Sequence, residues 1–131
     1  MPTPPPTKFM SFEEFWPFYV SQHASKTTRS LHFWGTTLAM ACVAGALFTK
    51  RRSLLLLAPI LGYGPAWVGH FFIEKNRPAT FKHPIYSLRA DLVMWTKILN
   101  GTMDEEVERI LREQAGEHPS SDAGEVASTL N

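Results

Sequence analysis

Two long apolar stretches constrain the fold of this chain more than any other feature of its sequence. Residues 31–48 and 54–73 hold few formal charges, and the charged run Lys50-Arg51-Arg52-Ser53 separates them. A membrane-spanning helix needs about 20 mostly apolar residues to cross about 30 Å of hydrocarbon. The second stretch meets that length, whereas the first, at about 18 residues, is marginal. The sequence therefore predicts an all-α fold built on an integral membrane helical hairpin of two spans.

The segment ahead of the first span predicts an amphipathic helix. Ser11 and Glu14 form a Ser-x-x-Glu capping box, and aromatic and apolar residues follow it at helical spacing. This pattern predicts a helix over residues 12–24, which suits either the membrane interface or packing against the spans. Residues 1–9 are rich in proline and predict a disordered tail.

The segment after the second span predicts one or two surface helices. Residues 85–99 are too charged for a lipid-facing span, so we expect a helix along the membrane surface or against the open end of the hairpin. Residues 103–114 follow a second capping box and carry acidic residues early and arginines late, which predicts a further short helix. Residues 10–115 are then a single helical membrane domain, and residues 116–131 form a second disordered tail.

Composition excludes several other classes. The net charge of +1 is spread along the chain with no basic helix face, which argues against a nucleic-acid partner. Cys42 has no second cysteine with which to form an intramolecular disulfide. The proline-rich start, residues 1–6, lacks the apolar region of a cleavable signal peptide, so the first span would be its own targeting signal. Oligomeric state is not encoded in any of these features.

The second span contains residues that disturb helices. Pro59, Gly62, Gly64 and Pro65 predict a kink or a partly unwound segment. A broken helix in lipid is tolerated where its backbone is buried in protein or lines a cavity. The pattern therefore indicates either a plain kink or a ligand cavity walled by residues 62–65, in which case Tyr63 is a candidate substrate-binding residue.

Histidines gather at the open end of the predicted hairpin. His70 and Glu74 lie one helical turn apart, with Cβ atoms about 6 Å from each other. At 1.5 Å per residue, the rise from His32 to Lys50 is about 27 Å and the return to His70 is about 25 Å, which brings both histidines to nearly the same depth. His23 and His83 are tethered to that end by the flanking segments.

This convergence predicts a metal site. Neutral imidazole suits iron or zinc, and two histidines with one carboxylate and open positions are typical of oxygen-activating non-haem iron. Glu74 could bind the metal or, more in keeping with its position, orient a ligand histidine. A plain alternative is that each histidine serves packing or hydrogen bonding. Arg29 and Arg77 are candidates to hold a lipid carboxylate, although interfacial cations are common without such a role.

The chain resembles a known family in the region that carries these residues. The resemblance rests on residues 62–81, GYGPAWVGHFFIEKNRPATF, and on His23 and residues 29–35, RSLHFWG. It covers about residues 10–103, with a core of Gly-His-x-x-x-Glu-x-x-x-Pro-Ala. The family comprises small membrane proteins long catalogued as a domain of unknown function, and its characterised fungal member is an iron(II)-dependent dioxygenase of 2-hydroxy fatty acids.

The resemblance implies α-oxidation, in which a 2-hydroxy fatty acid loses its carboxyl carbon, as in phytosphingosine breakdown at the endoplasmic reticulum. It implies Fe(II) as cofactor, dioxygen as co-substrate, and four iron ligands, which map onto His23, His32, His70 and His83. The membrane would be the endoplasmic reticulum in a eukaryote or the inner membrane in a bacterium. Most lysines and arginines lie toward the open end, which places the site on the cytosolic side.

Two other functions use the same residues. A zinc-dependent lipid hydrolase would share the ligands but need no oxygen, so anaerobic activity separates it from a dioxygenase. A non-enzymatic membrane hairpin would use its histidines for mutual hydrogen bonding, and replacing His70 with alanine would then change stability without abolishing turnover.

Overall fold

The computed structural model describes residues 8–116, and all regular structure among them is helical. The five α-helices are α1 (Phe12–Ser21), α2 (Lys26–Thr49), α3 (Ser53–Val68), α4 (Pro84–Leu99) and α5 (Met103–Gly116). A π-helical turn (Gly69–Glu74) extends α3, and a 3-10 turn (Ala79–Phe81) precedes α4. The all-α prediction is confirmed. The predicted tails lie largely outside the described residues, although Phe9 is 6% exposed and packs on the ring of Phe15.

Helices α2 and α3, the latter with its π-helical turn, form the hairpin. Both are long and apolar enough to span a membrane, at 24 and 22 residues. Only 17% and 22% of their apolar windows are buried within the protein, whereas a core helix of a soluble protein is mostly buried. Their apolar side chains therefore face outward, as lipid-facing side chains do.

The first span is longer than the sequence predicts. Helix α2 begins at Lys26, inside the segment expected to be a polar connector. The physical reason is that Thr28 and Arg29, both polar, are buried in the structure and prolong the helix beyond its apolar part. The helix is therefore longer than the apolar stretch from which it was predicted.

The two spans meet backbone to backbone. A Cβ atom placed on Gly35 would lie 2.8 Å from the carbonyl oxygen of Gly62, and one placed on Gly62 would lie 3.3 Å from Ala39 Cβ. Small residues permit this close approach, which is how helices associate in lipid without a hydrophobic drive between them. Gly35 and Ala39 lie one turn apart on α2 and form a face of small residues toward α3.

The predicted disturbance of the second span lies in a different place from that expected. Helix α3 continues through Pro59 and Pro65 without unwinding. The helix instead widens into the π-helical turn at Gly69–Glu74, and Lys75 ends it in the left-handed conformation with φ 55°. Such π-helical turns are rare and frequently occur at functional sites.

The remaining helices, α1, α4 and α5, form a second unit that we call the cap. The core of the cap consists of Phe9, Phe15, Tyr19, Val20, Ala79, Ala90, Met94, Met103, Val107 and Ile110. The cap sits on the open end of the hairpin, where the ring of Trp95 stacks on Phe33 and its Nε1–H donates to Thr37 Oγ1 at 2.9 Å. Of the two predicted positions for the helix over 85–99, packing on the hairpin is the one observed.

Candidate metal centre

Three histidines from three different elements converge at the junction of cap and hairpin. His23 follows α1, His32 lies in α2 and His70 lies in the π-helical turn. One ring nitrogen from each lies within 4.8 Å of the others. Their exposed fractions are 1%, 5% and 2%, so the cluster is shielded from water.

The outer nitrogen of each ring faces an oxygen acceptor. Nδ1 of His23 lies 2.7 Å from the carbonyl oxygen of Tyr19, and Nδ1 of His32 lies 3.1 Å from that of Thr28. Nδ1 of His70 lies 2.7 Å from Oδ1 of Asn76, an amide whose Nδ2 donates to a backbone carbonyl at 3.2 Å. Because an oxygen acceptor requires a donor, these partners assign the ring proton to Nδ1 in all three histidines.

The other ring nitrogen of each histidine, Nε2, is therefore unprotonated, and the cluster brings three lone pairs close together. Nε2 of His23 and Nε2 of His32 are only 3.0 Å apart, a contact that two unprotonated acceptors do not favour without a donor or a cation between them. Burial, followed by the neighbouring His32 and His70, holds the pKa of His23 well below its usual value, so a proton is a poor occupant. A metal ion fits this donor set.

The arrangement has the form of a catalytic rather than a structural metal site. Ligand histidines commonly donate their second ring N–H to a carbonyl or carboxylate oxygen, as all three do here. Structural sites use four protein ligands, while catalytic sites use three and keep a position open. The sequence suggested a site of two histidines and one carboxylate. Among the described residues, the cluster consists of three histidines and no carboxylate.

Close packing and a backbone reversal position His70. A Cβ atom on Gly69 would lie 2.8 Å from Thr28 Cγ2, so the glycine lets the π-helical turn rest on α2. The left-handed Lys75 then turns the chain back, and the Asn76 N–H donates to the carbonyl oxygen of His70 at 2.9 Å. This reversal brings the Asn76 side chain to the imidazole. No spacing rule for helices predicts such a contact, which is why the sequence did not identify Asn76.

Glu74 and Arg29 support the cluster from outside it. Glu74 Oε1 accepts from the N–H of Ser25 at 2.6 Å, at the start of α2, so the partner of His70 is Asn76 and the predicted pairing with Glu74 is not formed. The guanidinium of Arg29 donates to the carbonyl oxygens of His23 and Ala24, at 2.9 and 2.7 Å. Arg29 therefore holds the turn that carries His23.

The other predicted site residues are dispersed. The ring of His83 packs on Phe9 and Phe15, with centroids 5.1 and 5.6 Å apart, and does not join the cluster. The physical reason is that the 3-10 turn directs this residue into the aromatic core of the cap. Arg77 is exposed, and Tyr63 lines the cavity described next.

A cavity of about 450 Å³ begins at the three histidines and runs between the spans. Its walls are mostly apolar and reach Leu47 on α2 and Ala58 on α3. Along α2, the distance from His32 to Leu47 is about 22 Å at 1.5 Å per residue. Half of a bilayer's hydrocarbon core is about 15 Å thick, so the cavity has the length and the polarity of an acyl-chain site.

Polar side chains from the cap line the end of this cavity that lies at the histidines, which we call its head. Ser87 and Asp91, both on α4, line it together with Tyr19. The Tyr19 hydroxyl donates to Asp91, and the Tyr19 ring stacks on His23 with centroids 4.0 Å apart. Burial raises the pKa of Asp91 to about 6. The sequence signal for Asp91 was the charged character of the helix, which argued against a lipid-facing span without indicating a site.

Comparison with known proteins agrees with this geometry. No curated protein sequence and no solved structure matches the chain. A family model described as 2-hydroxy-palmitic acid dioxygenase Mpo1-like matches residues 9–103, a range that includes all three histidines of the cluster and both walls of the cavity. The chain therefore belongs to the 2-hydroxy-palmitic acid dioxygenase Mpo1-like family.

Proposed function

We propose that this protein is a membrane-bound non-haem iron dioxygenase that shortens 2-hydroxy fatty acids by one carbon. The observation that carries the proposal is the meeting of three buried imidazole lone pairs with the head of a long apolar cavity. The family description, which names a 2-hydroxy-palmitic acid dioxygenase, supports the substrate class. Two helices long and apolar enough to span a membrane support the membrane location, and the cytosolic side stays our prediction for its orientation.

The three histidines supply the protein part of the metal centre. His23, His32 and His70 would hold Fe(II) through Nε2, each oriented by the acceptor at its Nδ1. An iron ion bound there supplies dioxygen activation and a positive charge for the anionic head of the substrate. Because neutral imidazoles leave that charge uncompensated, the site favours an anionic ligand such as a carboxylate.

The cavity supplies orientation and exclusion of water. The acyl chain would lie between α2 and α3, against the apolar walls of the cavity. With the chain fixed there, carbons 1 and 2 of the fatty acid lie at the histidine cluster. The buried histidines and the apolar walls keep bulk water from the reacting carbons.

The proposed reaction balances with dioxygen alone. A 2-hydroxy acid and one O₂ contain the atoms of the shortened acid, one CO₂ and one H₂O, so no external reductant is needed. The bond between carbons 1 and 2 breaks, and carbon 2 becomes the new carboxyl carbon. A zinc hydrolase, which shares the ligands, would consume no oxygen.

Product analysis tests this function. Detergent-purified protein with Fe(II) is incubated with 2-hydroxypalmitate, and both dioxygen uptake and fatty-acid products are measured. We expect pentadecanoate with one O₂ consumed per product, and none under anaerobic conditions. Turnover without oxygen, or no conversion by protein that contains iron, would contradict the proposal.

A further inference from the structure

The wall of the cavity formed by α4 carries two polar side chains that the histidine cluster does not use. Ser87 and Asp91 are one helical turn apart on the same face of α4 and both line the cavity. Ser87 is 2% exposed, and its Oγ has no hydrogen-bond partner among the described residues. Asp91 accepts from the Tyr19 hydroxyl with one carboxylate oxygen.

These groups are unfavourable in an apolar cavity unless a ligand completes their hydrogen bonds. A buried hydroxyl without a partner loses its bonds to water and gains none in return. Asp91 is half-buried, and a carboxylate withdrawn from water without a cation is also unfavourable. No cation pairs with Asp91 in the part of the chain that the structure describes. The hydroxyl of Ser87 therefore has its hydrogen-bonding capacity free for a polar group of a ligand in the cavity.

We propose that Ser87 and Asp91 form a subsite that recognises the 2-hydroxyl group of the substrate and thereby selects 2-hydroxy acids over unsubstituted fatty acids. This inference rests on the proposed function. The ionised head of a 2-hydroxy fatty acid has one hydrogen-bond donor, its hydroxyl group. That donor suits the second oxygen of Asp91, and Ser87 Oγ can donate to the oxygen of the same hydroxyl.

An unsubstituted fatty acid is rejected by the same two residues. Its carboxylate is an acceptor only and offers no hydrogen to the free oxygen of Asp91. It also leaves Ser87 Oγ and the second oxygen of Asp91 without partners, and a site built to bond a hydroxyl discriminates strongly against an analogue that lacks one.

Tyr19 connects this subsite to the histidine cluster. Its ring stacks on His23 while its hydroxyl holds Asp91, so one side chain fixes both groups relative to each other. A fatty acid whose head lies at the histidines therefore has α4 beside it. Ser87 and Asp91 are specificity-determining residues in this account.

Binding measurements on the full-length, Fe(II)-containing protein under anaerobic conditions test the inference without turnover. The readout is the ratio of the Kd for palmitate to the Kd for 2-hydroxypalmitate. We expect Ser87→Ala to weaken only 2-hydroxypalmitate, by about fivefold, which is the effect of one hydrogen bond. Ser30→Ala is the matched control, because Ser30 is exposed on α2 outside the cavity, and it should leave the ratio unchanged.

Asp91→Asn provides a second variant of nearly the same shape. The amide oxygen still accepts from the Tyr19 hydroxyl, but an NH₂ group replaces the second oxygen, so the 2-hydroxyl loses its acceptor. We expect the affinity for 2-hydroxypalmitate to fall relative to that for palmitate, so that the ratio falls severalfold. Thermal unfolding of each variant confirms that it is folded, and Asp91→Asn decides the question should Ser87→Ala fail to fold.

The possible outcomes separate the inference from the proposed function. A wild-type ratio of one would overturn the inference, whereas oxygen uptake and product analysis test the proposed function separately. A wild-type preference that Ser87→Ala and Asp91→Asn leave intact would overturn the inference alone. Equal weakening of both acids by Ser87→Ala would also overturn it, because the residue would then bind the carboxylate or the chain.

Discussion

The hairpin and the cap are stabilised in different ways. In the hairpin, the backbones of α2 and α3 meet at Gly35 and Gly62, and most apolar side chains face away from the protein. In the cap, large side chains such as Phe15, Tyr19 and Met94 are buried in a conventional core. The cap is therefore held by the hydrophobic effect, whereas the hairpin in lipid depends on close packing of small residues.

The histidine cluster lies where these two regions meet, and neither region contains it alone. His23 comes from the cap, while His32 and His70 come from the hairpin. Asn76 spans the junction, since its Oδ1 accepts from His70 and its Nδ2 donates to the carbonyl of Gln22. We infer that metal binding and docking of the cap on the hairpin support each other.

Loss of a ligand should have the largest effect. We expect His70→Ala to lower bound iron to background and turnover by more than about 100-fold, beyond the loss typical for residues that only support a ligand. Helix content by circular dichroism should be unchanged. The control is His83→Phe, which keeps the aromatic packing of the cap and should change iron content and turnover less than about twofold. Equal losses in both variants would restore the four-ligand prediction.

Removal of the bond that crosses the junction should have the next largest effect. Asn76→Ala leaves His70 Nδ1 without its acceptor, and we expect metal affinity to fall about 10- to 100-fold. Asn76→Asp keeps an acceptor for His70 and should recover most of that affinity. Iron titration of the metal-free variants measures both. An alanine variant with wild-type affinity would show that Asn76 does not orient the ligand.

Crowding of the hairpin at the π-helical turn should have a smaller effect than loss of the Asn76 hydrogen bond. A methyl group on Gly69 would lie 2.8 Å from Thr28 Cγ2, so we expect Gly69→Ala to destabilise the protein by about 1–3 kcal/mol and to weaken iron binding through His70. Gly64→Ala is the matched control, because nothing lies within 4 Å of its added methyl. In helix α3 this second change should be neutral or slightly stabilising. Thermal unfolding in detergent compares the two, and equal destabilisation would argue against the close approach.

The smallest effect is expected for the exposed tether between cap and hairpin. The Arg29 guanidinium lies 3.0 Å from the Asp104 carboxylate and holds the pKa of Asp104 below its usual value of 3.8. Asp104 is 59% exposed, so Asp104→Asn should cost less than about 1 kcal/mol at neutral pH.

The pH dependence of this tether has a definite sign. Because the pKa of Asp104 is lower in the folded state, its contribution is present above pH 3.8 and is lost as the pH falls through the folded-state value. The difference in unfolding free energy between wild type and Asp104→Asn should therefore disappear in acid. A difference that grows on acidification would contradict the proposed role of the pair.

Much of the architecture could be predicted because it follows from periodicity and length. The charged run before Leu54 marks the turn of the hairpin, and the rise per residue places His32 and His70 at one depth. Helices α1, α4 and α5 begin within a residue of their predicted starts. Each of these features depends on local sequence.

The contacts within the site could not be predicted because they depend on tertiary structure. The reversal at Lys75, which brings Asn76 to His70, follows from a single left-handed residue with no glycine to mark it. The position of His83 shortly after the second span predicted that it lies at the open end of the hairpin, but could not predict which way its ring points. Ser87 could be recognised as a candidate site residue only from the structure, in which α4 forms one wall of the cavity.

Iron stoichiometry measured on the same detergent preparation that is assayed for turnover tests the central claim most directly. We predict one iron per chain in the wild type, loss of iron and of oxygen-dependent conversion of 2-hydroxypalmitate together on chelation, and recovery of both on addition of Fe(II). Undiminished turnover in the metal-free protein would contradict the account, as would full iron occupancy in a variant that lacks His23, His32 and His70.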